Sequence, residues 1–350
     1  MAAVVVEVVG AAGERSGSHQ EDELNTRSAA RNLACILCAI STFALLCHSL
    51  RAVSAAPQSA ASTGSVSSRP QTFATPQEAA DSLVQAAATF DVRALEKIFG
   101  SEGAEIVLSG EYEQDRKLAT AFAAEAQEKE SISVDPKSEN RALLLVGKED
   151  WPFPVPLTKV GDRWSFDASA GRQELLNRRV GRNELDAISI CRGYVEAQED
   201  YAFRQRTKYD VNQYAQRIVS SPGKQDGLAW QNPDGTWGGP VGEKIAEAIE
   251  QGYSSQAEPY HGYFFKILKG QGPAAPLGQM DYVVEGVMIG GFALVAAPAE
   301  YRVTGVDTFM VSQDGVVYEK DLGPNTLTEF AKLDRFNPDE SWTPVLGNNE

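Results

Sequence analysis

The stretch NELDAISICRGYVEAQEDYAFR, residues 183–204, has the clearest helical pattern in the chain. At about 100° per residue, its apolar side chains fall on one half of a helix and its charged side chains on the other. On the charged half, Arg192 and Glu196 have the spacing of an i,i+4 ion pair. We expect this helix to pack on a core as a structural spine. Its apolar half consists of Ala187, Ile188, Ile190, Cys191, Tyr194, Val195, Ala197, Tyr201 and Ala202.

Cys191 lies in that apolar half, and its environment decides between a nucleophile and a packing residue. A thiol that faces a core has a raised pKa and little reactivity, so we expect a structural cysteine. His19 and His48 precede the expected leader cleavage, which leaves His261 as the one imidazole of the mature chain. One thiol and one imidazole are too few for a zinc site, and no G-x-S-x-G or phosphate-loop motif occurs. We expect no catalytic residue, no metal and no cofactor.

Charge and acidic motifs narrow the function further. The chain has 350 residues, enough for about two domains, with 32 basic and 48 acidic residues and a net charge of -16. Such a surface repels phosphates, so nucleic acid is not an expected partner. The Asp-Gly turns in 232–240 and 312–321 lack a full calcium-loop pattern. Among so many carboxylates, the sequence singles out no pair for glycoside hydrolysis.

The first 71 residues are predicted to be a leader (1–56) and a flexible tether (57–71). Residues 33–50 form an uncharged, mostly apolar stretch, and small residues follow it, which is typical of a secretory signal peptide. Cleavage near Ala55 or Ala56 would release the protein to the periplasm or the extracellular space. The lead-in is long and acidic, so we expect the true start nearer Leu24. The alternative is an uncleaved leader that anchors the protein in the membrane through residues 33–50, its one membrane contact.

Residues 72–170 are predicted to form an N-terminal α+β domain. Thr75 is suited to cap a first helix that begins at Pro76, and Asp91 caps a second that ends before Gly100. A third, charged helix covers about 113–130. The short apolar runs that follow, with Gly161-Asp162 between two of them, indicate an antiparallel hairpin. Those runs are residues 142–146, 153–160 and 163–167.

Residues 171–345 are predicted to form a C-terminal α+β domain. The joining segment 170–186 is rich in arginine, which we interpret as pairing with nearby carboxylates, and alternatively as an anion site. A helix is expected over 241–251, and Asp314-Gly315 marks a hairpin turn. A long helix before an antiparallel sheet completes the predicted α+β fold class. The strand-like segments are 260–270, 280–286, 288–301 and 306–323, and the joining arginines are Arg172, Arg178, Arg179 and Arg182.

Five residues are candidate contacts for a ligand or partner. Trp151 precedes alternating prolines, which place it at a sheet edge or crossing. Lys224 and Asp226 lie in the unusual loop SSPGKQDGLAW (220–230), and Tyr260 and His261 precede a strand. The structural alternatives are a tryptophan that closes a sheet and a turn held by a Lys224–Asp226 ion pair.

Six segments together are similar to a known family. The chain resembles, over about residues 70–345, the exported bacterial proteins of domain-of-unknown-function family 2950. The resemblance implies export and a shared fold, and it implies no activity. The segments are WPFPVPL (151–157), GRNELDAI (181–188), SSPGKQDGLAW (220–230), YHGYFFKIL (260–268), MIGGFALVAAPAEY (288–301) and DGVVYEKDLG (314–323).

Two further resemblances concern architecture alone. The helices and hairpin of 72–170 are similar to the opening of a nuclear-transport-factor-like cone. Residues 183–320, a helix followed by an antiparallel sheet, are similar to the soluble domain of type IV pilins and pseudopilins. In pilins the apolar assembly helix runs directly into the soluble helix. Here a whole domain separates the leader from it, so filament assembly through this helix is not implied.

These observations favour an exported cell-envelope protein that binds or scaffolds rather than catalyses. Its expected partner is an envelope protein or a polysaccharide of unknown identity. The first alternative is a carboxylate-dependent hydrolase that acts on cell wall or polysaccharide, and the second is a minor pilin-like subunit. An enzyme should show a pocket with convergent polar groups of perturbed pKa, whereas a scaffold should show an exposed apolar patch.

Overall fold

The computed structural model describes residues 69–204, 210–241 and 259–346. The leader, nearly all of the tether and all but the first residue of the helix expected over 241–251 lie outside these ranges. The chain divides into two compact units, Met1–Gly171 and Arg172–Glu350. Both contain helices and antiparallel strands, so the α+β class is confirmed.

The first unit opens with helices whose starts are set by side-chain caps. Thr75 accepts a hydrogen bond from the Glu78 backbone N–H at 3.1 Å, and Asp91 accepts one from that of Ala94 at 3.1 Å. Each cap satisfies a backbone donor that a helix start leaves open. The helices are Pro76–Ala88 (α1), Val92–Phe99 (α2), Ala104–Val107 (α3) and Tyr112–Glu128 (α4), with a short 3₁₀ turn at Ser101–Gly103.

An antiparallel sheet follows these helices. Its strands are Glu130–Asp135 (β1), Ser138–Val146 (β2), Trp151–Pro152 (β3), Leu157–Val160 (β4) and Arg163–Phe166 (β5). The order is β1-β2-β4-β5, and β3 pairs with the end of β2. Gly161 and Asp162 form the predicted turn between β4 and β5. The helices and sheet bury a cluster of aromatic rings: Phe99, Phe122, Phe153 and Phe166.

A single helix, Ala168–Arg204 (α5), contains both the arginine-rich joining segment and the stretch 183–204. Cys191 is fully buried, and burial raises the pKa of its thiol to about 12. The prediction that Cys191 is a packing residue of the core is therefore confirmed. Arg178 pairs with Glu174 at 2.8 Å, as expected for at least one of the joining arginines.

Five strands of the second unit form an antiparallel sheet: Tyr263–Leu268 (β8), Ala293–Pro298 (β13), Asp307–Ser312 (β14), Val317–Asp321 (β15) and Thr343–Pro344 (β16). Their order is β16-β15-β14-β13-β8. Asp314 and Gly315 lie in the connection between β14 and β15, where a hairpin was predicted. A further helix, Thr326–Lys332 (α6), packs near β13. The remaining described strands form three antiparallel pairs: Trp230–Gln231 (β6) with Trp237–Gly238 (β7), Gly270–Gln271 (β9) with Met280–Asp281 (β10), and Val283–Val284 (β11) with Val287–Met288 (β12).

The apolar half of α5 packs on this sheet. Cys191 and Tyr194 belong to one buried cluster with Phe265, Leu294 and Phe309 from the strands. Strand alternation sends Lys266 to the opposite face, where its Nζ donates to the Phe330 carbonyl of α6 at 2.6 Å. Within the described residues, no helix combines the length and the apolar composition needed to cross a bilayer.

Candidate functional site

An apolar cavity of about 470 Å³ runs along α5 in the second unit, and we call it the helix groove. Its volume is in the range of sites that take small ligands or side chains. The groove uses the outer flank of the helix, beside the residues that face the sheet. The helix supplies Ser189, Ile190, Gly193, Tyr194 and Ala197, and the opposite wall is made by Ile218, Leu228, Pro240, Val241 and Leu294.

A buried glutamine holds one wall of the groove against the helix. Gln198 is fully buried, and its Nε2 donates to the Tyr194 hydroxyl at 2.9 Å and to the Ala215 carbonyl at 2.8 Å. Its Oε1 accepts from the Ala215 N–H, also at 2.8 Å. The segment that carries Ile218 is thus fixed by a side chain that mimics a backbone partner. The sequence analysis missed Gln198, although a lone amide at the centre of an apolar helix face signals such a role.

The loop 220–230 shapes the second wall. Asp226 accepts from the Ser221 N–H at 2.7 Å and from the Ser221 hydroxyl at 2.9 Å. Burial by itself raises the pKa of Asp226, but the hydrogen bonds from Ser221, the charge of Arg217 and the Asp226 backbone N–H together outweigh it, and the net pKa is lowered. The Tyr201 hydroxyl of α5 donates to the Gln225 carbonyl at 2.8 Å. These contacts position Leu228 in the wall of the groove.

The Lys224–Asp226 ion pair, which was the structural alternative for this loop, does not form within the described residues. Both carboxylate oxygens of Asp226 are already engaged by Ser221, and the Lys224 side chain is exposed without a partner in the described part of the chain. Lys224 contributes instead through its backbone N–H, which donates to the Ser221 carbonyl at 2.9 Å. The turn is therefore held by the hydrogen bonds between Ser221 and Asp226, with the charge of Arg217 close by, rather than by a Lys224–Asp226 ion pair.

The rim of the groove is acidic. Glu196 and Asp200 of α5 both line the cavity. Asp200 pairs with Arg204 at 3.0 Å, whereas the Glu196 carboxylate makes no hydrogen bond or ion pair with a residue that the structure describes. The expected Arg192–Glu196 pair is thus not formed. Gly193, one turn before Glu196 on the same helix, also lines the groove, and a Cβ added there would meet nothing within 4 Å.

His261 and Asp186 form a second polar cluster. Tyr260 and Tyr263 exchange backbone hydrogen bonds of 3.0 and 2.9 Å across a two-residue turn. His261 (φ +47°) and Gly262 (φ +74°) occupy that turn, as a type I′ hairpin requires. The His261 Nδ1 lies 2.5 Å from an Asp186 carboxylate oxygen, and the Tyr260 ring stands edge-on to the imidazole.

The five predicted contact residues do not converge. Trp151 belongs to the first unit, on β3. Asp226 and Lys224 lie near Tyr201, whereas His261 and Tyr260 lie near Asp186, and those two helix positions are about 22 Å apart along the axis. Of the five, only Asp226 supports the helix groove. None of them lines it.

A group of carboxylates lies where the start of β14 meets α5. Glu184 accepts from the Val306 N–H at 2.8 Å and from the Asp307 N–H at 3.2 Å. Burial, followed by repulsion from Glu184, Glu319 and Asp321, raises the pKa of Asp307 to about 6. The sequence analysis did not single out these residues. The feature that identifies them is the β14–β15 hairpin register, which places Asp307 directly opposite Asp321.

Neither the carboxylates nor the histidine provides a metal centre. Within residues 69–204, 210–241 and 259–346, no group of three or more His, Cys, Asp or Glu side chains is arranged to hold a metal ion. The perturbed carboxyl of Asp307 is also not among the residues that line the helix groove. The groove itself offers an apolar surface with acidic edges, which suits binding.

Comparison with known proteins gives a family and no activity. A family described as "Protein of unknown function (DUF2950)" matches residues 70–345. The chain belongs to this family. Searches of curated proteins and of solved structures each give no match. The DUF2950 match extends across both compact units, including the helix groove and the loop 220–230. The pilin and transport-factor likenesses stay predictions.

Proposed function

We propose that this DUF2950 protein is exported to the bacterial cell envelope and acts there by binding a partner in the helix groove. The observation that carries the proposal is the chemistry of the groove lining. It combines apolar side chains such as Ile190, Leu228 and Leu294 with an acidic rim. Among the described groups with a strongly shifted pKa, only the Tyr194 hydroxyl lines the groove, and the neighbouring Cys191 is buried with a thiol of raised pKa.

The groove can be tested with Nile red, an uncharged dye that fluoresces in apolar sites. Gly193→Trp places an indole at the groove, where the backbone leaves open space. Gly181→Trp is the matched control, because Gly181 lies on the same helix, also has open space and does not line the groove. We expect saturable dye binding that is about tenfold weaker in G193W and unchanged in G181W.

The result that would contradict the groove as a binding site is equal dye affinity in the wild-type protein and G193W. Helix content and melting temperature of both variants should match the wild type, because neither glycine needs a positive φ. Export is tested separately by N-terminal sequencing of the protein recovered from the envelope or medium. A start near residue 57 supports it, and an intact N-terminus in the cytoplasm contradicts it.

A second candidate function is hydrolysis by paired carboxylates in the first unit. Asp81 and Glu130 line a cavity of about 460 Å³ beside Val84 and Ala126. Gln77 Nε2 donates to both carboxylates, at 2.9 and 2.7 Å. Burial, together with a hydrogen bond and repulsion from Asp81, raises the pKa of Glu130. A raised carboxyl pKa is what a general acid needs.

Hydrolysis is the second candidate because the Asp81 and Glu130 carboxylates lie close together. Carboxylates that share a hydrogen bond are closer than the separation of about 5 Å or more that glycoside hydrolysis uses. The test is release of reducing ends from cell-wall and polysaccharide substrates. Activity that disappears in Glu130→Gln and survives in Glu139→Gln, an exposed control on β2, would put hydrolysis first. No release by the wild-type protein leaves binding as the function.

A further inference from the structure

We infer that the helix groove receives an amphipathic helix of a protein partner that carries lysine or arginine beside its apolar face. This inference rests on the proposed binding function and names the class of partner. Three observations support it, namely the shape of the groove, the charge of its rim and the charge of the segment that follows its wall in the sequence.

The shape of the groove fits a helix. The residues that α5 contributes extend from Ser189 to Asp200, and eleven steps of about 1.5 Å give a length of about 16 Å, or three turns. They follow the i, i+4 and i+7 spacing of one helix flank, which presents a straight, shallow wall. Gly193 in the middle lacks a side chain and leaves open space, so a partner helix can approach α5 closely there. Helix-in-groove recognition uses such apolar walls.

The charge of the rim selects the sign of the partner. Glu196 and Asp200 line the groove, and no lysine or arginine is among the lining residues that the structure describes. Asp200 is paired with Arg204, so Glu196 is the rim carboxylate whose charge is uncompensated. The Glu196 carboxylate has no hydrogen-bond or ion-pair partner in that part of the chain, so it is available to a cation. The whole chain carries a net charge of -16. Electrostatic complementarity then favours a cationic segment and speeds its association.

The chain segment that follows the groove wall has the wrong charge for the site. Residues 242–258 come directly after Val241 and contain four glutamates and one lysine. Opposite charges attract, so the uncompensated Glu196 carboxylate favours a basic segment over one with an excess of glutamate. On charge, a separate basic partner is therefore favoured over residues 242–258.

The test uses two synthetic labelled peptides of about 18 residues, each an idealised leucine-rich amphipathic helix. One carries lysines on its polar face, and the other carries glutamates at the same positions. Binding to the full-length protein is measured by fluorescence anisotropy at about 150 mM salt, which screens non-specific attraction. We expect the lysine peptide to bind about tenfold more tightly than the glutamate peptide.

Variants decide whether the binding occurs in the groove. Gly193→Trp should weaken the lysine peptide about tenfold, and Gly181→Trp should leave it unchanged. Glu196→Lys should weaken it about fivefold, and Glu199→Lys, an exposed residue that does not line the groove, should not. Glu196 and Glu199 lie on the same helix three residues apart, so the overall charge change is matched.

The outcomes separate the two proposals. Nile red binding that G193W weakens, combined with equal or absent binding of the two peptides, overturns the cationic partner and leaves the groove as a binding site. Lysine-peptide binding that is insensitive to both G193W and E196K overturns the cationic helix at this groove. If Nile red also binds the wild-type protein and G193W with equal affinity, the proposed function itself is contradicted. Preference for the glutamate peptide contradicts the charge argument directly.

Discussion

Gln198, at the centre of the apolar face of α5, makes a two-way hydrogen bond with the backbone of Ala215. Its Nε2 donates to the Ala215 carbonyl and its Oε1 accepts from the Ala215 N–H, both at 2.8 Å. The Gln198 side chain thereby satisfies both backbone groups of Ala215, as a neighbouring β-strand would. It joins the helix to the segment that carries Ile218, and so fixes the width of the helix groove.

Replacing this amide should destabilise the second unit. Gln198→Leu leaves the Ala215 N–H and carbonyl buried without their partner, and a buried unsatisfied group costs about 1–3 kcal/mol. We expect the free energy of unfolding in urea to fall by about 3 kcal/mol in Q198L. The matched control is Gln173→Leu, an exposed glutamine on the same helix, which should change stability by less than about 0.5 kcal/mol. Equal losses in both variants would show that Gln198 does not anchor the wall.

The raised pKa of Asp307 predicts a pH-dependent stability. The pKa is about 6 in the folded protein and 3.8 in its ordinary state, so the folded state holds the proton more tightly. This group's contribution is fully present below about pH 4 and is lost as the pH rises through about 6. Asp307→Asn mimics the protonated form. We expect D307N to be more stable than the wild type at pH 7.5 by about 1 kcal/mol, after allowance for solvent screening, and equal to it at pH 4.

Thermal melts of D307N across pH 4 to 7.5 check this account. Asp162→Asn, at the exposed β4–β5 turn, is the control and should not alter the pH profile of the melting temperature. A constant stability difference between D307N and the wild type at every pH would rule out the carboxylate cluster as its cause.

The turn beside His261 should tolerate no Cβ at its second position. Gly262 has φ +74°, and a Cβ there would come within 2.6 Å of Asn183 Nδ2 and 2.8 Å of Thr304 Cβ. Gly315 has nearly the same φ, +73°, with nothing within 4 Å. Gly262→Ala should therefore cost about 1–2 kcal/mol more in unfolding free energy than Gly315→Ala, which isolates the steric part. Indistinguishable midpoints in urea would mean that the contact between α5 and this turn is loose.

Cys191 should resist modification until the protein unfolds. A thiol pKa of about 12 leaves almost no thiolate at pH 8, and burial blocks reagent access. We expect iodoacetamide labelling of Cys191, quantified by peptide mass spectrometry, to be slower by a factor of about 100 or more than in urea. Ser189→Cys, at an exposed position of the groove, supplies a reactive control on the same helix. Rapid labelling of native Cys191 would restore it as a candidate nucleophile.

Local patterns were enough to predict much of this fold. The helical period of 183–204 placed Cys191 inside, Thr75 and Asp91 marked helix starts, and Gly161-Asp162 and Asp314-Gly315 marked hairpins, because each signal depends on neighbours in the chain. Pairs of interacting side chains were harder to predict. Sequence spacing suggested Lys224–Asp226 and Arg192–Glu196 ion pairs. In the structure, Ser221 donates to both carboxylate oxygens of Asp226, and Glu196 has no partner among the described residues.

The candidate site depends on contacts between distant parts of the chain. The helix groove brings Tyr194 together with Ile218, Leu228 and Leu294, which no local pattern connects. The shifted pKa values of Asp307 and Glu130 likewise arise from burial and from carboxylates that folding brings close. Among 48 acidic residues, only the three-dimensional arrangement distinguishes them.

The most direct test of the helix groove as the site of a cationic partner helix is methyl NMR of the protein with the lysine-bearing helical peptide. The account predicts saturable shift changes that are largest at Ile190, Ile218, Leu228, Val241 and Leu294 and that need about tenfold more peptide in Gly193→Trp. Shift changes concentrated instead in the first unit or around His261, or a spectrum that the peptide leaves unaltered, would contradict it.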